Sequence, residues 1–409
     1  MNFSSNQPNL FLRNTTNLSG QFISHLLLNA LFAFTLKLLQ ILGIFADYNK
    51  KYERHIHTEW RILIQERHIM RKYFVLNIIL AALFIYVYGC GDKKDDKKTD
   101  GNNNVSEFVK KDSITGKDVV TLKYVVKKGD KFYYKMVAKT SNMEKSPATE
   151  DKEVKQDNEI NYYYSKEADN VDASGIVSYK ITFDSINISS SMGDQSIKYN
   201  SNINDSVKMN PAFIQYNAVI ANPFFIRVNP SGEITDVYGM EKIYEVLFKA
   251  LGDTLKEKDK QEIKQSFGEE SIKEILQQEY QVCPTNPVVM DSNWTKAFNT
   301  SVLFFEVVNN AKYTMKSVED KNGQKIANIE AALVVEFKNK EVKERGMTIK
   351  VENAETSGSG KIALNLSRGC IQNKETSTNL KLDMKLSAQG QTANSTQAVT
   401  TNLIVTLLN

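Results

Sequence analysis

From Val119 onward the chain alternates apolar and polar side chains at every second residue, and this constrains the fold more than any other feature. Leu122, Tyr124 and Val126 fall on one side, with Thr121, Lys123 and Lys127 on the other. After Lys128-Gly129-Asp130, Phe132, Tyr134, Met136 and Ala138 alternate with Lys131, Lys135 and Lys139. Successive side chains of a strand point to opposite faces, so the pattern predicts half-buried strands and a hairpin over Val119 to Lys139. Ile160 to Ser165 is expected to pair with Ile176 to Ile188 across Asp172-Ala173-Ser174-Gly175. There Val177, Tyr179, Ile181 and Phe183 keep one register and Ile186 and Ile188 the opposite one, which predicts an extra residue near Asp184.

The same alternation returns after Ser301. Tyr313 and Met315 precede the Asn322-Gly323 hairpin signal, and Ile329, Ala331, Leu333, Val335 and Phe337 follow it. Ile362, Leu364 and Leu366, then Leu380, Leu382, Met384 and Leu386, then Leu403, Val405 and Leu407 repeat the pattern. Strands with one polar face belong to antiparallel sheets. Between the two strand-rich parts the period changes. Met240, Ile243, Tyr244, Leu247, Phe248 and Leu251 share one helical face, which Gly252-Asp253 ends. Asn210-Pro211 reads as a helix start, and Thr254 with Glu257 and Ser271 with Glu274 have the spacing of capping boxes. A hairpin is expected over Phe224 to Val237 around Asn229-Pro230-Ser231-Gly232. The fold class is therefore mainly β with inserted helices (α+β): a broad curved antiparallel sheet, or two sheets, with three or four helices, the helical middle at about 240–282.

Ahead of this lies Met70-Arg71-Lys72, a short basic start, and a run from Tyr73 to Val87 that is apolar except for Asn77. It is too short to cross a bilayer core, which takes about 20 residues, and has the pattern of a secretory signal. It ends in Val87-Tyr88-Gly89-Cys90, which resembles the lipobox of bacterial lipoproteins. The resemblance implies cleavage before Cys90 and lipid on that cysteine; an uncleaved anchor helix is the alternative. Residues 91–104 carry no apolar side chain except glycine's hydrogen and read as a solvated tether. Within it Lys94-Asp95-Asp96 resembles a charged surface-sorting signal, or is simply part of a soluble linker. The expected organisation is 1–69 as upstream translation, 70–89 as signal peptide, 90–118 as lipidated cysteine and tether, and 119–409 as ectodomain. For the first segment a transmembrane helix over Phe22 to Phe45 is the competing reading.

Placing the mature start at Cys90 alters the charge argument. Residues 1–89 hold nine of the 52 Lys and Arg and four of the 48 Asp and Glu, which leaves a net charge near −1 from Cys90 on. The basicity of the whole chain is then no sign of nucleic-acid binding. All four histidines, His25, His55, His57 and His68, precede Met70, so the commonest general base and metal ligand are missing from the ectodomain. Cys283 and Cys370 are a possible disulfide or two buried small apolar groups, and two thiols cannot build a four-thiolate zinc site.

Several motifs in order carry a second resemblance: Lys128-Gly129-Asp130-Lys131-Phe132-Tyr133-Tyr134-Lys135-Met136, then Val228-Asn229-Pro230-Ser231-Gly232-Glu233-Ile234, then Val288-Val289-Met290-Asp291-Ser292-Asn293-Trp294. Together they resemble an uncharacterised family of bacterial lipoproteins over about Val119 to Leu408. That family implies no activity and supplies no functional residue. Gly358-Ser359-Gly360 lacks a phosphate loop's third glycine and reads as a flexible hairpin loop. Without histidine a serine hydrolase would need a lysine base, and the enzyme alternative is a hydrolase that uses paired carboxylates. The expected role is a non-catalytic, lipid-anchored envelope module at the outer membrane, with no metal, cofactor or nucleic acid. The alternative is a carrier for a hydrophobic ligand such as a lipid, or a binder of another envelope protein. An apolar pocket for it would be lined by Tyr244, Leu247, Phe248 and Trp294.

Overall fold

The computed structural model describes residues 108–408, apart from 114, 115, 147, 148, 150, 204–209, 211, 212, 253, 254, 281, 282, 303, 304, 345, 346 and 389. The expected signal peptide, Cys90 and residues 91–107 lie outside the described residues, whereas the end of the segment expected as tether carries strand at Val109–Lys111 and from Asp118 on. In chain order the strands are β1 (Val109–Lys111), β2 (Asp118–Val120), β3 (Lys131–Lys145), β4 (Val154–Val171), β5 (Val177–Met192), β6 (Gln195–Asn200), β7 (Phe224–Val228) and β8 (Ile234–Tyr238). After the helical middle come β9 (Val288–Val289), β10 (Asn293–Val302), β11 (Phe305–Lys321), β12 (Gln324–Phe337), β13 (Glu341–Glu344), β14 (Met347–Asn365), β15 (Cys370–Ala388) and β16 (Gln391–Leu407). The helices are α1 (Ile214–Val219), α2 (Glu241–Leu251), α3 (Glu257–Ser266) and α4 (Glu269–Gln277). Strands dominate, and the helices are few and short, so the chain is a β-sheet protein with a helical insertion rather than an even α+β mixture.

Two antiparallel meanders make one sheet of 13 strands. Its order is β10-β11-β12-β14-β15-β16-β3-β4-β5-β7-β8, with β6 on β5 and β13 on β14. The meanders join where β16, at the end of the chain, pairs with β3, bringing Leu407 opposite Tyr134. A separate small sheet has the order β1-β2-β9. Burial follows the alternation: Ile326, Ile329, Leu333 and Val335 on β12 and Leu380, Leu382 and Met384 on β15 are buried, while Lys381, Lys385, Glu330 and Glu336 are exposed. Asn322 and Gly323, at φ 54° and 78°, make the tight β11–β12 turn. The expected bulge is present, because Tyr163 pairs with Ser185 and Tyr164 with Phe183, which leaves Asp184 as the extra residue.

Three expectations are corrected. Residues 119–127 do not form a hairpin with β3; only Asp118–Val120 is strand, and Leu122, Tyr124 and Val126 are buried by an extended segment instead. The Lys127–Asp130 turn forms, but Tyr124 N–H donates to the Pro230 carbonyl, and β3 takes β16 and β4 as its neighbours. Alternation reports a face to be buried, not which strand will bury it. Gly358 and Gly360 lie inside the 19-residue β14 rather than in a loop. The capping positions also differ: α1 begins at Ile214, α3 is capped by Lys256 and Asp259, and α4 starts after Gly268, so Ser271 falls within its first turn. Thr254 lies outside the described residues.

The two β14 glycines show how the sheet curls. A methyl at Gly358 would stand 2.8 Å from Leu333 Cβ, and one at Gly360 would stand 2.9 Å from Thr376 Cγ2. Side chains of neighbouring strands close in on the missing ones, as happens on the inner side of a bent sheet. The buried face is therefore concave at β14. Helix α1 packs mainly on α2 and touches β5, and α4 packs on β8. Gly360→Val should overpack this bend and lower stability by about 1–3 kcal/mol, read as a lower urea midpoint with unchanged slope.

Candidate functional site

Inward-facing positions on β4 read Asn158, Ile160, Tyr162, Tyr164 and Lys166, so a lysine occupies a place where the alternation puts core residues. Its ammonium is wholly buried, and so is its partner, with exposures of 0% for Lys166 and 1% for Glu279. Lys166 Nζ donates to Glu279 Oε1 and, at 3.1 Å, to the Tyr280 hydroxyl. Tyr164 OH donates to the other carboxylate oxygen, Glu279 Oε2, at 2.7 Å. Four rings surround the ammonium: Tyr280 at 4.3 Å, Tyr134 at 4.9 Å, Tyr179 at 5.0 Å and Phe132 at 5.4 Å from ring centre to Nζ. The faces of these rings attract a cation, and most strongly where water is excluded.

Glu279 and Tyr280 reach this position because the chain leaves α4 as a strap across the concave face. Gln277 fixes its start: its amide nitrogen donates to the Gly232 carbonyl and its oxygen accepts from Ile234 N–H, at 3.0 and 2.7 Å. Cys283 N–H donates to the Ser231 carbonyl at 2.8 Å. From the far side Lys374 on β15 donates to the Tyr280 carbonyl at 3.0 Å. Tyr124 packs edge-on against Tyr280 at 5.3 Å, Tyr134 stacks on Tyr164 at 5.6 Å, and Tyr134 OH donates to the Ile371 carbonyl at 2.8 Å. The strap thus ties the β7–β8 turn, β4 and β15 together through polar bonds.

Burial, and after it the Glu279 carboxylate, pushes the hydroxyls of Tyr134, Tyr164, Tyr179 and Tyr280 well above the ordinary phenol range. Burial brings Lys374 down to about 8, partly opposed by Glu279. The two cysteines are buried thiols and are not bridged, which corrects the possible disulfide. Each is held by its own backbone pairing, Cys283 to Ser231 and Cys370 opposite Asn365, and burial pushes the thiols up to about 12 and about 11. Half-buried Glu274 on α4 has its carboxyl raised to about 7 by burial alone, with no second carboxylate acting on it. Among the described residues no group of three His, Cys, Asp or Glu could hold a metal ion.

The four residues expected to line an apolar pocket stand in two places. Tyr244, Leu247 and Phe248 share α2, where Tyr244 stacks on Phe248 at 6.1 Å beneath Lys264. Trp294 stands on the edge strand β10, stacked on Tyr313 at 5.4 Å. The site the structure does assemble, Lys166 with Glu279, was signalled in the sequence only by a lysine in core register.

A family described as "Family of unknown function (DUF6263)" matches residues 174–371, from the start of β5 into β15 and including the strap. No curated protein matches the sequence. Among solved structures, one concerned with lipid–protein interactions in lipovitellin is 8% identical, with a TM-score of 0.33, and covers 69% of this chain. The chain spans 25% of the length of that protein. OpdQ of Pseudomonas aeruginosa is 4% identical at a TM-score of 0.21, covering 68% of this chain and 100% of its own. OccK5 (OpdH) of the same organism is 5% identical at 0.18, covering 67% and 98%. At such scores the likeness carries no weight for fold or function.

Removing one member of a buried ion pair strands the other. Lys166→Met should therefore cost about 3–5 kcal/mol, whereas Lys166→Met with Glu279→Leu should recover most of the loss in urea unfolding. Lys374 supplies a pH test. Its folded value lies below the unfolded 10.5, so between about pH 8 and 10.5 the unfolded chain binds more protons and stability rises with pH. From pH 7.5 to 9 the stability of the native protein relative to Lys374→Met should rise by roughly 1 kcal/mol.

Proposed function

We propose that this chain is a non-catalytic, lipid-anchored module of the bacterial cell envelope, held at a membrane surface by acyl chains on Cys90. The outer membrane is reached through that lipid, and the polar residues 91–104 let the β-sheet domain stand clear of it. The observation that carries the non-catalytic part is the state of the Lys166–Glu279 cluster. This convergence of charged and phenolic groups is sealed from solvent, and each oxygen of the carboxylate is already engaged, one by Lys166 and the other by Tyr164. A substrate would have to displace the strap to reach it, and the strap's bonds are those that tie β4, β15 and the β7–β8 turn together. Such a group holds a fold; it does not turn over a ligand.

The anchor rests on Met70-Arg71-Lys72, the apolar run that follows and Val87-Tyr88-Gly89-Cys90. Each buried methylene contributes about 0.8 kcal/mol to membrane attachment, so more than one acyl chain holds far better than one. The intact mass of protein extracted from membranes should correspond to a chain beginning at acylated Cys90. Cys90→Ala should leave an uncleaved precursor or release the protein. A membrane-extracted mass that retains residues upstream of Cys90 would refute the anchor.

A further inference from the structure

The two edges of the large sheet are finished differently. At one, β8 is five residues long, its register with β7 shifts between Arg227 and Val228, and Gln277 of α4 accepts the N–H of Ile234. At the other, β10 runs over Asn293–Val302 in unbroken register with β11 and without proline. Its one charged residue, Lys296, is half-buried and lies on the core side with Phe298. Among the described residues no strand pairs with the outer side of β10. Shortness, bulges, outward charges and covering helices are what normally protects a sheet edge, and β8 has such protection where β10 does not.

The phase of the hydrogen bonds tells which residues face the bare side. Met315 N–H on β11 donates to the Ser292 carbonyl, one step before β10. Along a strand, residues that bond to one neighbour alternate with residues that bond to the other. Counting on from Ser292, residues Trp294, Lys296, Phe298, Thr300 and Val302 bond to β11. Lys338 N–H, donating to the Glu306 carbonyl, sets the same phase from β12, because it assigns Phe305, Val307 and Asn309 to β10. Asn293, Thr295, Ala297, Asn299 and Ser301 therefore turn their N–H and C=O groups to the bare side. The first four carry exposed, uncharged side chains.

We propose that β10 pairs with β10 of a second copy of this chain, antiparallel about a two-fold axis at Phe298, so that two sheets become one. Outward-bonding residues must meet outward-bonding residues, and core-side residues must meet core-side residues, so the axis passes through a residue and not between two. At Lys296 it would set two ammonium groups directly opposite, which is destabilising. At Ala297 it would leave them about 7 Å apart along the strands, inside the roughly 8 Å over which salt screens charge. At Asn299 the pairing shrinks to Lys296–Val302. At Phe298 the two lysines are offset by about 14 Å, Trp294 to Val302 stay paired, and Phe298 meets its own copy. This register closes about eight backbone bonds, through Thr295 with Ser301, Ala297 with Asn299 and their symmetry mates. Pairing β10 with β8 of the next copy would run on without closing, and β8 offers only a short strand of shifted register bearing Asp236. The dimer does not depend on lipid at Cys90.

Two variants of the full chain, Ala297→Cys and Asn299→Cys, test the register. Mixed and oxidised, they should give a covalent dimer whose peptide masses join residue 297 of one copy to residue 299 of the other. Neither variant alone should form a bond between its own copies, because those Cα atoms stand about 9 Å apart, too far for a disulfide. Sedimentation of the native chain should show two copies at concentrations up to about 100 μM. Ala297→Pro removes an N–H that the pairing with β11 does not use. It should keep the native circular dichroism and raise the dissociation constant about tenfold or more, the loss of two backbone bonds. Should it lose that spectrum, Ala297→Lys, which leaves the backbone intact and sets two ammonium groups beside the axis, decides the matter through a rise of about threefold. A native monomer throughout that range, cross-links only at other residue pairs or to another protein, or a folded variant that dimerises as tightly as the native chain would overturn the proposal.

Discussion

The structure depends on one ion pair removed from water. An ammonium and a carboxylate in a protein interior are costly unless each meets its counter-charge and its remaining hydrogen-bonding capacity is filled. Here both conditions are met at one point: Lys166 finds Glu279, the hydroxyl of Tyr280 and four ring faces, while Glu279 finds Lys166 and Tyr164. The arrangement has one geometric solution. Shifting β4 by a single residue would turn Lys166 outward and bring its neighbour inward, so the pair fixes register in a way that an apolar contact would not. It also fixes where the chain goes after α4, because the strap carries the matching carboxylate.

The strap and the bend of the sheet support each other. Bonds from Gln277 to the β7–β8 turn and from Lys374 to Tyr280 span six steps of the strand order, from β15 to β8. A flat sheet could not bring these elements to one short segment. The means to bend are local: the missing side chains of Gly358 and Gly360 on the inner face, and the extra residue at Asp184.

Much of this could be read from residue order, and the failures share a cause. Period-two alternation located β3, β4, β5, β11, β12, β15 and β16, and Asn322-Gly323 and Asp184 behaved as their local chemistry required. What local pattern cannot carry is the identity of a distant partner. The segment Leu122 to Val126 shows the alternation of a strand, yet its backbone turns to Pro230. Gly358-Ser359-Gly360 looks like a loop until the crowding from Leu333 and Thr376 is known. Lys166 was visible as a charge in core register, as was Lys374 two residues before Thr376, but Glu279 sits in a segment without periodicity. A site made of one periodic and one aperiodic stretch, separated by 113 residues, appears only when the chain is folded.

The pairing of β3 with β16 also dictates a timetable. Each meander is built of neighbours in sequence, so its hairpins can close as soon as they are made, whereas the seam between them must wait for the last residues of the chain. Contacts so far apart in sequence are slow to form because the intervening loop must be closed first. While the chain is made from its amino end, β3 is complete early with one edge bare and remains so until Leu407 arrives. Lys131, Lys135 and Lys139, spaced along β3, put repeated positive charge on that waiting edge, the device by which exposed strands discourage pairing with strangers.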